Sequence, residues 1–219
     1  MTISIIHPSR NRPEMAYKAF KNWMDKANHP NDIQYILSID GDEPKMEKYN
    51  ELFHGKLITV NKNLNVVQAT NNGAAQSTGE IMIYMSDDFD CPTHWDKLLM
   101  DVIGERNPLQ EPFAIEVNDC YQNNRNLLTI PIISRAMYHS EGFFWHPKFA
   151  SMFCDNWIYE RAKRAYKLID AYHLKFPHLH YSLGYYPIDD TNLRSNQNWN
   201  QGKKVFNELC HKYQYNVKY

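Results

Sequence analysis

Three acids, Asp87, Asp88 and Asp90, fall within four positions directly after the apolar run Ile81-Met82-Ile83-Tyr84-Met85, and Pro92 follows them. A short apolar run bounded this way reads as a strand buried on both faces. The acids then sit at its carboxyl end, where open α/β sheets hold their ligands. Carboxylates this close raise one another's cost of ionising, and a cation removes that cost. Hard oxygen donors select Mg²⁺ or Mn²⁺, and Mg²⁺ is usually held by one or two carboxylates together with substrate phosphates. The chemistry expected of this turn is a clamp on a metal–diphosphate. The competing reading is a solvated acidic turn that caps the helix after Pro92.

Two further strand ends carry matching chemistry. The run Thr2–Ile6 ends in His7-Pro8-Ser9-Arg10-Asn11-Arg12-Pro13, and the run Ile33–Ile39 ends in Asp40-Gly41-Asp42. Arginines on one side of a pocket and acids on the other suit a nucleotide diphosphate with a divalent cation. An acid can also accept from a base N–H or a ribose hydroxyl. The chain contains neither G-x-x-x-x-G-K-[ST] nor G-x-G-x-x-G, and only 8 glycines in all. That pattern argues against a P-loop NTPase and a dinucleotide-dependent dehydrogenase.

The elements that must position these residues follow from periodicity. Ala16, Phe20, Trp23, Met24 and Ala27 recur at helical spacing behind Pro13, predicting a helix of about 14 residues. Met46, Tyr49, Leu52 and Phe53 mark a second helix, Leu57–Val60 a third strand, 61–65 a polar turn, and Val66–Thr78 a third helix. Strand 81–85 and a helix carrying Trp95, Leu98, Leu99 and Val102 complete a β-α-β-α-β-α-β-α order. Such an order demands a mainly parallel sheet with helices on both faces.

After Asn107-Pro108 the rhythm changes. Phe113–Val117 and Leu127–Ile133 read as strands separated by the polar stretch 118–126, and Ser134–His139 as a short helix. Phe143-Phe144-Trp145 forms an aromatic loop. Asp155–Leu168 reads as a helix, Phe176–Tyr181 as an extended segment, and Lys203–Tyr213 as a terminal helix. No linker, repeat or low-complexity tract divides the 219 residues. One α/β domain is expected, with 1–107 as a nucleotide-binding half and 108–219 as an acceptor-side half.

The net charge of −1 provides no basic field for nucleic acid. Cys91, Cys120, Cys154 and Cys210 match no metal or redox spacing and read as free thiols in a reducing compartment. Met1 leads straight into a strand, and no run approaches the roughly 18 apolar residues of a membrane span. A cytoplasmic location is the expectation. The 15 tyrosines and 5 tryptophans exceed what a core needs, and such residues often line clefts.

The amino-terminal half resembles the family 2 glycosyltransferases of the GT-A fold. The resemblance is carried by Ile5-Ile6-His7-Pro8-Ser9-Arg10-Asn11-Arg12, Ser38-Ile39-Asp40-Gly41, Ala69-Thr70-Asn71-Asn72-Gly73-Ala74-Ala75 and Met85-Ser86-Asp87-Asp88-Phe89-Asp90-Cys91-Pro92-Thr93-His94-Trp95. The last contains the short acidic "DxD" hallmark, readable as Asp87-Asp88 or as Asp88-Phe89-Asp90. The resemblance implies that Asp40 accepts from the nucleotide base, that Pro8, Ser9 and Arg12 line base and ribose, and that Asn72 and Asp87 join the nucleotide site. It implies Asp88 as the main ligand of Mn²⁺ or Mg²⁺, with Asp90 and a late histidine, His180 of His178-Leu179-His180, as further ligands.

Members of the family often carry an acid at the start of a helix beneath the acceptor. Asp155 in Phe153-Cys154-Asp155-Asn156-Trp157 takes that place, as general base. A helix N-cap would by itself explain the same aspartate. The expected activity is transfer of a sugar from a nucleotide-sugar, of UDP by preference, to a glycan or other hydroxyl acceptor, with inversion. The rival readings are a nucleotidyltransferase and a non-catalytic nucleotide- or glycan-binding module. Sugar, acceptor and oligomeric state are left open by the sequence.

Overall fold

The computed structural model describes residues 1–62, 65–122 and 125–217, with only the backbone of Asn61. The middle of the polar turn 61–65 and of the stretch 118–126 lies outside the described residues. The strands are β1 (Ile3–Ser9), β2 (Ile33–Asp40), β3 (Leu57–Asn61), β4 (Ile81–Tyr84), β5 (Phe113–Asn118), β6 (Ile132–Ser134) and β7 (Lys167–Lys175). The helices are α1 (Pro13–Lys26), α2 (Met46–Leu52), α3 (Val66–Ala75), α4 (Trp95–Ile103), α5 (Arg135–Glu141), α6 (Cys154–Ala165), α7 (Asp190–Gln197) and α8 (Trp199–Lys212).

Among the described residues the strands form one sheet of order β3-β2-β1-β4-β6-β5-β7. β1 to β4 run parallel, β6 is antiparallel to both β4 and β5, and β7 is parallel to β5. Alternation along the strands divides the core in two. Ile3, Ile5, Leu37, Ile39, Ile81 and Ile83 face one layer with Phe20 and Trp23 of α1, Tyr49 of α2 and Trp95 and Leu99 of α4. Ile6, Met82, Ala114 and Ile133 face the other, against Val67 of α3, Met137 of α5, Trp157 and Ile158 of α6 and Phe206 of α8. Helices therefore cover both faces, as the β-α alternation demanded.

Three elements depart from expectation. The expected helix 155–168 ends at Ala165, and the chain leaves through an extended Tyr166 into β7, an edge strand not foreseen. Only 132–134 of the expected strand Leu127–Ile133 pair, because Pro131 has no N–H to donate; its carbonyl instead accepts from Tyr84 N at 3.1 Å. The segment 176–181 meets the sheet region through one bridge, Phe89 with His178. It then turns into a 3₁₀ helix, Tyr181–Leu183.

α8 packs close against the chain entering α6. A Cβ on Gly202 would stand 2.3 Å from the Met152 carbonyl oxygen. No helix among the described residues is long and apolar enough to cross a membrane.

Candidate active site

The carboxyl ends of β1, β2 and β4 open on one cavity of about 540 Å³. Pro8, Ser9, Arg12, Asp40, Asp87, Asp88, Asp155 and His180 all line it.

Asp87 is held from below. His7, fully buried on β1, places Nε2 2.9 Å from Asp87 Oδ1 and Nδ1 2.6 Å from the Tyr35 hydroxyl. Arg12 Nη1 stands 3.9 Å from the other Asp87 oxygen. A sequence run of Ile5-Ile6 continuing into a buried histidine thus gives the acidic turn a polar foundation where an apolar side chain would give none.

Asp88, also buried, receives a hydrogen bond from the Tyr186 hydroxyl on Oδ2 at 2.7 Å and faces His178 Nε2 at 3.3 Å. Burial works to raise its pKa, but His178, Tyr186 and Ser86 outweigh it and hold the carboxyl well below the usual range. His178 Nδ1 is buried with no hydrogen-bond partner among the described residues.

Asp40 lies at the end of β2. Arg10 Nη1 donates to Asp40 Oδ2 at 3.0 Å and to Asp42 Oδ1 at 2.5 Å. Asp40 Oδ1 is buried and accepts from nothing among the described residues. Burial raises the Asp40 pKa, against the pull of Arg10.

The cavity is covered by α7 and the loop before it. Arg12 forks onto Asp189, Nε to Oδ2 and Nη2 to Oδ1, both at 2.6 Å, and Nη2 also donates to Asn192 Oδ1 at 2.9 Å. Such bidentate pairs fix geometry as well as charge. Asp189 and Asn192 form the capping box of α7, so the helix start and the arginine clamp share the same side chains. Thr191 donates to the Arg10 carbonyl at 3.0 Å.

Asp155 stands in the first turn of α6. The N-cap is not Asp155 but Phe153, which adopts a left-handed φ of 70° and makes no side-chain cap. The Asp155 carboxylate accepts from Asn156 N at 2.9 Å, and burial pushes its pKa up to about 6.

Three expected residues are placed differently. Asp90 does not line the cavity: Lys26 Nζ reaches its Oδ1 at 2.5 Å, Asn22 donates to the same oxygen, and the side chain is thereby tied to α1. Asn72 lies on α3 outside the lining set, whereas its neighbour Asn71 binds the aromatic loop, accepting from Trp145 N at 2.8 Å. His180 lines the cavity, but Ser182 Oγ engages its Nδ1 at 2.8 Å and its ring stacks on Tyr121. It is His178 that meets Asp88. On a regular strand both would face the same way, but the ladder lasts for one bridge only.

Tyr186 and Asn192 are not marked by the sequence, in which Asp189-Asp190 reads as a helix cap or an addition to the site; Tyr186, Asp189 and Asn192 reach the site from more than 170 residues beyond Arg12 or nearly 100 beyond Asp88. Nothing local marks them except the Asp189-Asp190 pair. Trp145, in the aromatic loop, is 2% exposed, lines the cavity, and its Nε1 has no partner among the described residues.

No curated protein matches the sequence. Among solved structures, residues 1–349 of TarS from S. aureus superpose with a TM-score of 0.65 at 13% identity, over 81% of this chain and 60% of that one. The TarS 1–349 complex with UDP-GlcNAc gives 0.63 at 13% identity, over 81% and 58%. The mannosyltransferase PcManGT from Pyrobaculum calidifontis, in complex with GDP-Man and Mn²⁺, gives 0.57 at 12% identity, over 80% and 56%. The chain thus spans about 60% of the TarS 1–349 chain. At these identities the likeness establishes the GT-A fold alone. The model of the family described as "Glycosyl transferase family 2" matches residues 4–167, from β1 to the start of β7, and the chain belongs to that family of glycosyltransferases.

Proposed function

We propose that the protein transfers a sugar from a nucleotide-sugar, a UDP-sugar, to a hydroxyl acceptor with inversion, using a divalent cation. The observation that carries this reading is the meeting of Arg12, Asp40, Asp87 and Asp88 in one cavity with Asp155. The UDP and UDP-GlcNAc complexes of TarS support the choice of donor.

In this reading residues 1–107 hold the nucleotide and 108–219 the acceptor. Asp40 Oδ1, unpaired among the described residues, accepts the base N–H, since a buried acceptor without a partner costs roughly 1–3 kcal/mol until a ligand supplies one. Pro8, Ser9 and Arg12 border base and ribose, and Asp87, fixed by His7, takes a ribose hydroxyl.

Among the described residues no three His, Cys, Asp or Glu side chains are grouped to hold a cation alone. Asp88 with His178 offers a carboxylate and an imidazole, a pair that suits Mn²⁺ better than Mg²⁺, with substrate phosphates to complete the shell. A divalent cation bound there supplies neutralisation of the charge that builds on the departing diphosphate.

Asp155, with a pKa near 6, is ionised at neutral pH and accepts the proton of the acceptor hydroxyl. The acceptor oxygen bonds to the anomeric carbon as the bond from that carbon to the diphosphate oxygen breaks. One displacement inverts the centre. Four free cysteines fit a reducing compartment such as the cytoplasm.

The test is a panel of UDP- and GDP-sugars read as thermal stabilisation with and without Mn²⁺, followed by assay of the released product. Metal-dependent stabilisation by UDP-sugars and release of UDP are expected. Release of pyrophosphate, or binding without any UDP release, overturns the reading.

A further inference from the structure

Five buried side-chain polar atoms have no hydrogen-bond partner among the described residues, and three of them belong to residues that line the cavity: Asp40 Oδ1, His178 Nδ1 and Trp145 Nε1. The first two belong to the nucleotide and cation ends described above. The third has no role there. Buried polar groups in folded proteins are nearly always paired, so an orphaned indole N–H on a residue that lines a ligand cavity calls for a partner from the ligand.

The indole is held rather than loose. The Asn71 side chain grips the loop backbone on both sides, accepting from Phe144 N at 3.0 Å and Trp145 N at 2.8 Å while donating to the Trp145 carbonyl at 2.7 Å. The ring packs edge-on against Tyr84 at 5.4 Å and against Phe144 at 5.5 Å. A donor fixed this way loses no further rotamer freedom when it meets a ligand.

Its place in the cavity is toward the reacting centre. Tyr84, the ring it leans on, is the last residue of β4, shortly before Asp88, and both Asp88 and Asp155 line the same cavity. The stretch between those carboxylates is where the transferred sugar must lie if one binds the diphosphate end and the other the acceptor. The base end, marked by Asp40 and Arg10, is elsewhere in the same cavity.

We infer that the Trp145 indole N–H donates a hydrogen bond to an oxygen of the transferred sugar, making Trp145 a residue that sets donor-sugar specificity. The inference rests on the nucleotide-sugar reading above. An indole donates and cannot accept. It therefore distinguishes sugars that present a hydroxyl or acetamido oxygen at that point from those that present hydrogen. A site built to bond such a group discriminates far more strongly than an apolar pocket does.

The test follows the indole N–H resonance of Trp145, assigned by its loss in Trp145→Phe, with Mg²⁺ and either UDP, UDP-glucose, UDP-galactose or UDP-GlcNAc. The resonance is expected to move downfield with at least one of the UDP-sugars and to stay in place with UDP. Trp145→Phe should keep UDP affinity within about twofold and weaken the preferred UDP-sugar by about tenfold, the 1.4 kcal/mol of one hydrogen bond. Trp145→Tyr serves if the phenylalanine variant misfolds. An equal response to UDP alone, an equal loss of UDP and UDP-sugar affinity, or movement only on adding acceptor overturns the assignment. If no nucleotide stabilises even the wild-type protein, the nucleotide-sugar reading falls, and this inference with it.

Discussion

The Tyr186 hydroxyl donates to Asp88 Oδ2 at 2.7 Å across 98 residues of chain, on the same oxygen that faces His178. A cation that takes this oxygen must displace the hydroxyl or share with it. Hydrogen bonds to charged groups contribute about 1.5–3 kcal/mol. Tyr186→Phe should therefore lower the Mn²⁺ concentration needed for half-maximal activity by about tenfold, read from metal titrations of the purified enzyme. An unchanged or higher requirement would show that the tyrosine assists the cation instead.

Asp88 and Asp90 separate cleanly in their surroundings. Asp88→Asn should reduce turnover by at least about 10²-fold, the scale for removing one preorganised charge, and should also lower the melting temperature, because Tyr186 and His178 lose a charged partner. Asp90→Asn weakens the partly exposed contact with Lys26 and the bonds from Asn22 and the Cys91 backbone N–H, so activity should hold and stability fall by about 1 kcal/mol. Loss of activity in the Asp90 variant alone would reverse the assignment.

Asp155 offers a pH signature. Its pKa of about 6 predicts a rising acidic limb in kcat centred near that value, absent from donor affinity. The stability sign is opposite to that of a salt-bridged carboxylate. The folded state holds the proton more tightly than the unfolded one, so stability is lost as pH rises from about 4 through 6. Asp155→Asn should abolish transfer, keep UDP binding, and raise stability at pH 8 by roughly 1–2 kcal/mol. Urea melts at pH 4 and pH 8 measure the difference.

His7 is both foundation and risk. His7→Leu removes two buried hydrogen bonds, taking from the Tyr35 hydroxyl and from Asp87 Oδ1 their histidine partner while the Arg12 contact to Asp87 remains. The expected cost is about 3 kcal/mol, with UDP affinity falling together with it because Asp87 loses its anchor. Calorimetric melting and UDP titration on the same preparation check both halves. A stable variant with weakened UDP binding would assign His7 to the site alone.

The half of the chain up to β4 was legible because each parallel strand is an apolar run and each helix is bounded by Pro, Gly or polar residues. β7 was not, since an edge strand reading Lys-Leu-Ile-Asp-Ala-Tyr-His-Leu-Lys carries charges on its open face and follows α6 with no breaker between them. The acidic turn gave away its position but not its division of labour: only coordinates distinguish Asp88, turned to the cavity, from Asp90, bound to α1. Of the cover from Tyr186 to Asn192 only the Asp189-Asp190 pair was legible, as a helix cap, because the cover's contacts depend on residues far apart in sequence, and no periodicity records such pairings.

The close passage of Gly202 beneath Met152 ties the far end of the chain to the acid at its centre. A methyl group there would push α8 away from the strained turn at Phe153, and Asp155, two residues on, would swing with it. α8 is thus the buttress of the turn from which Asp155 projects. Gly202→Ala should leave the nucleotide half intact while chemistry fails, an inactivating lesion 47 positions from the acid it disarms.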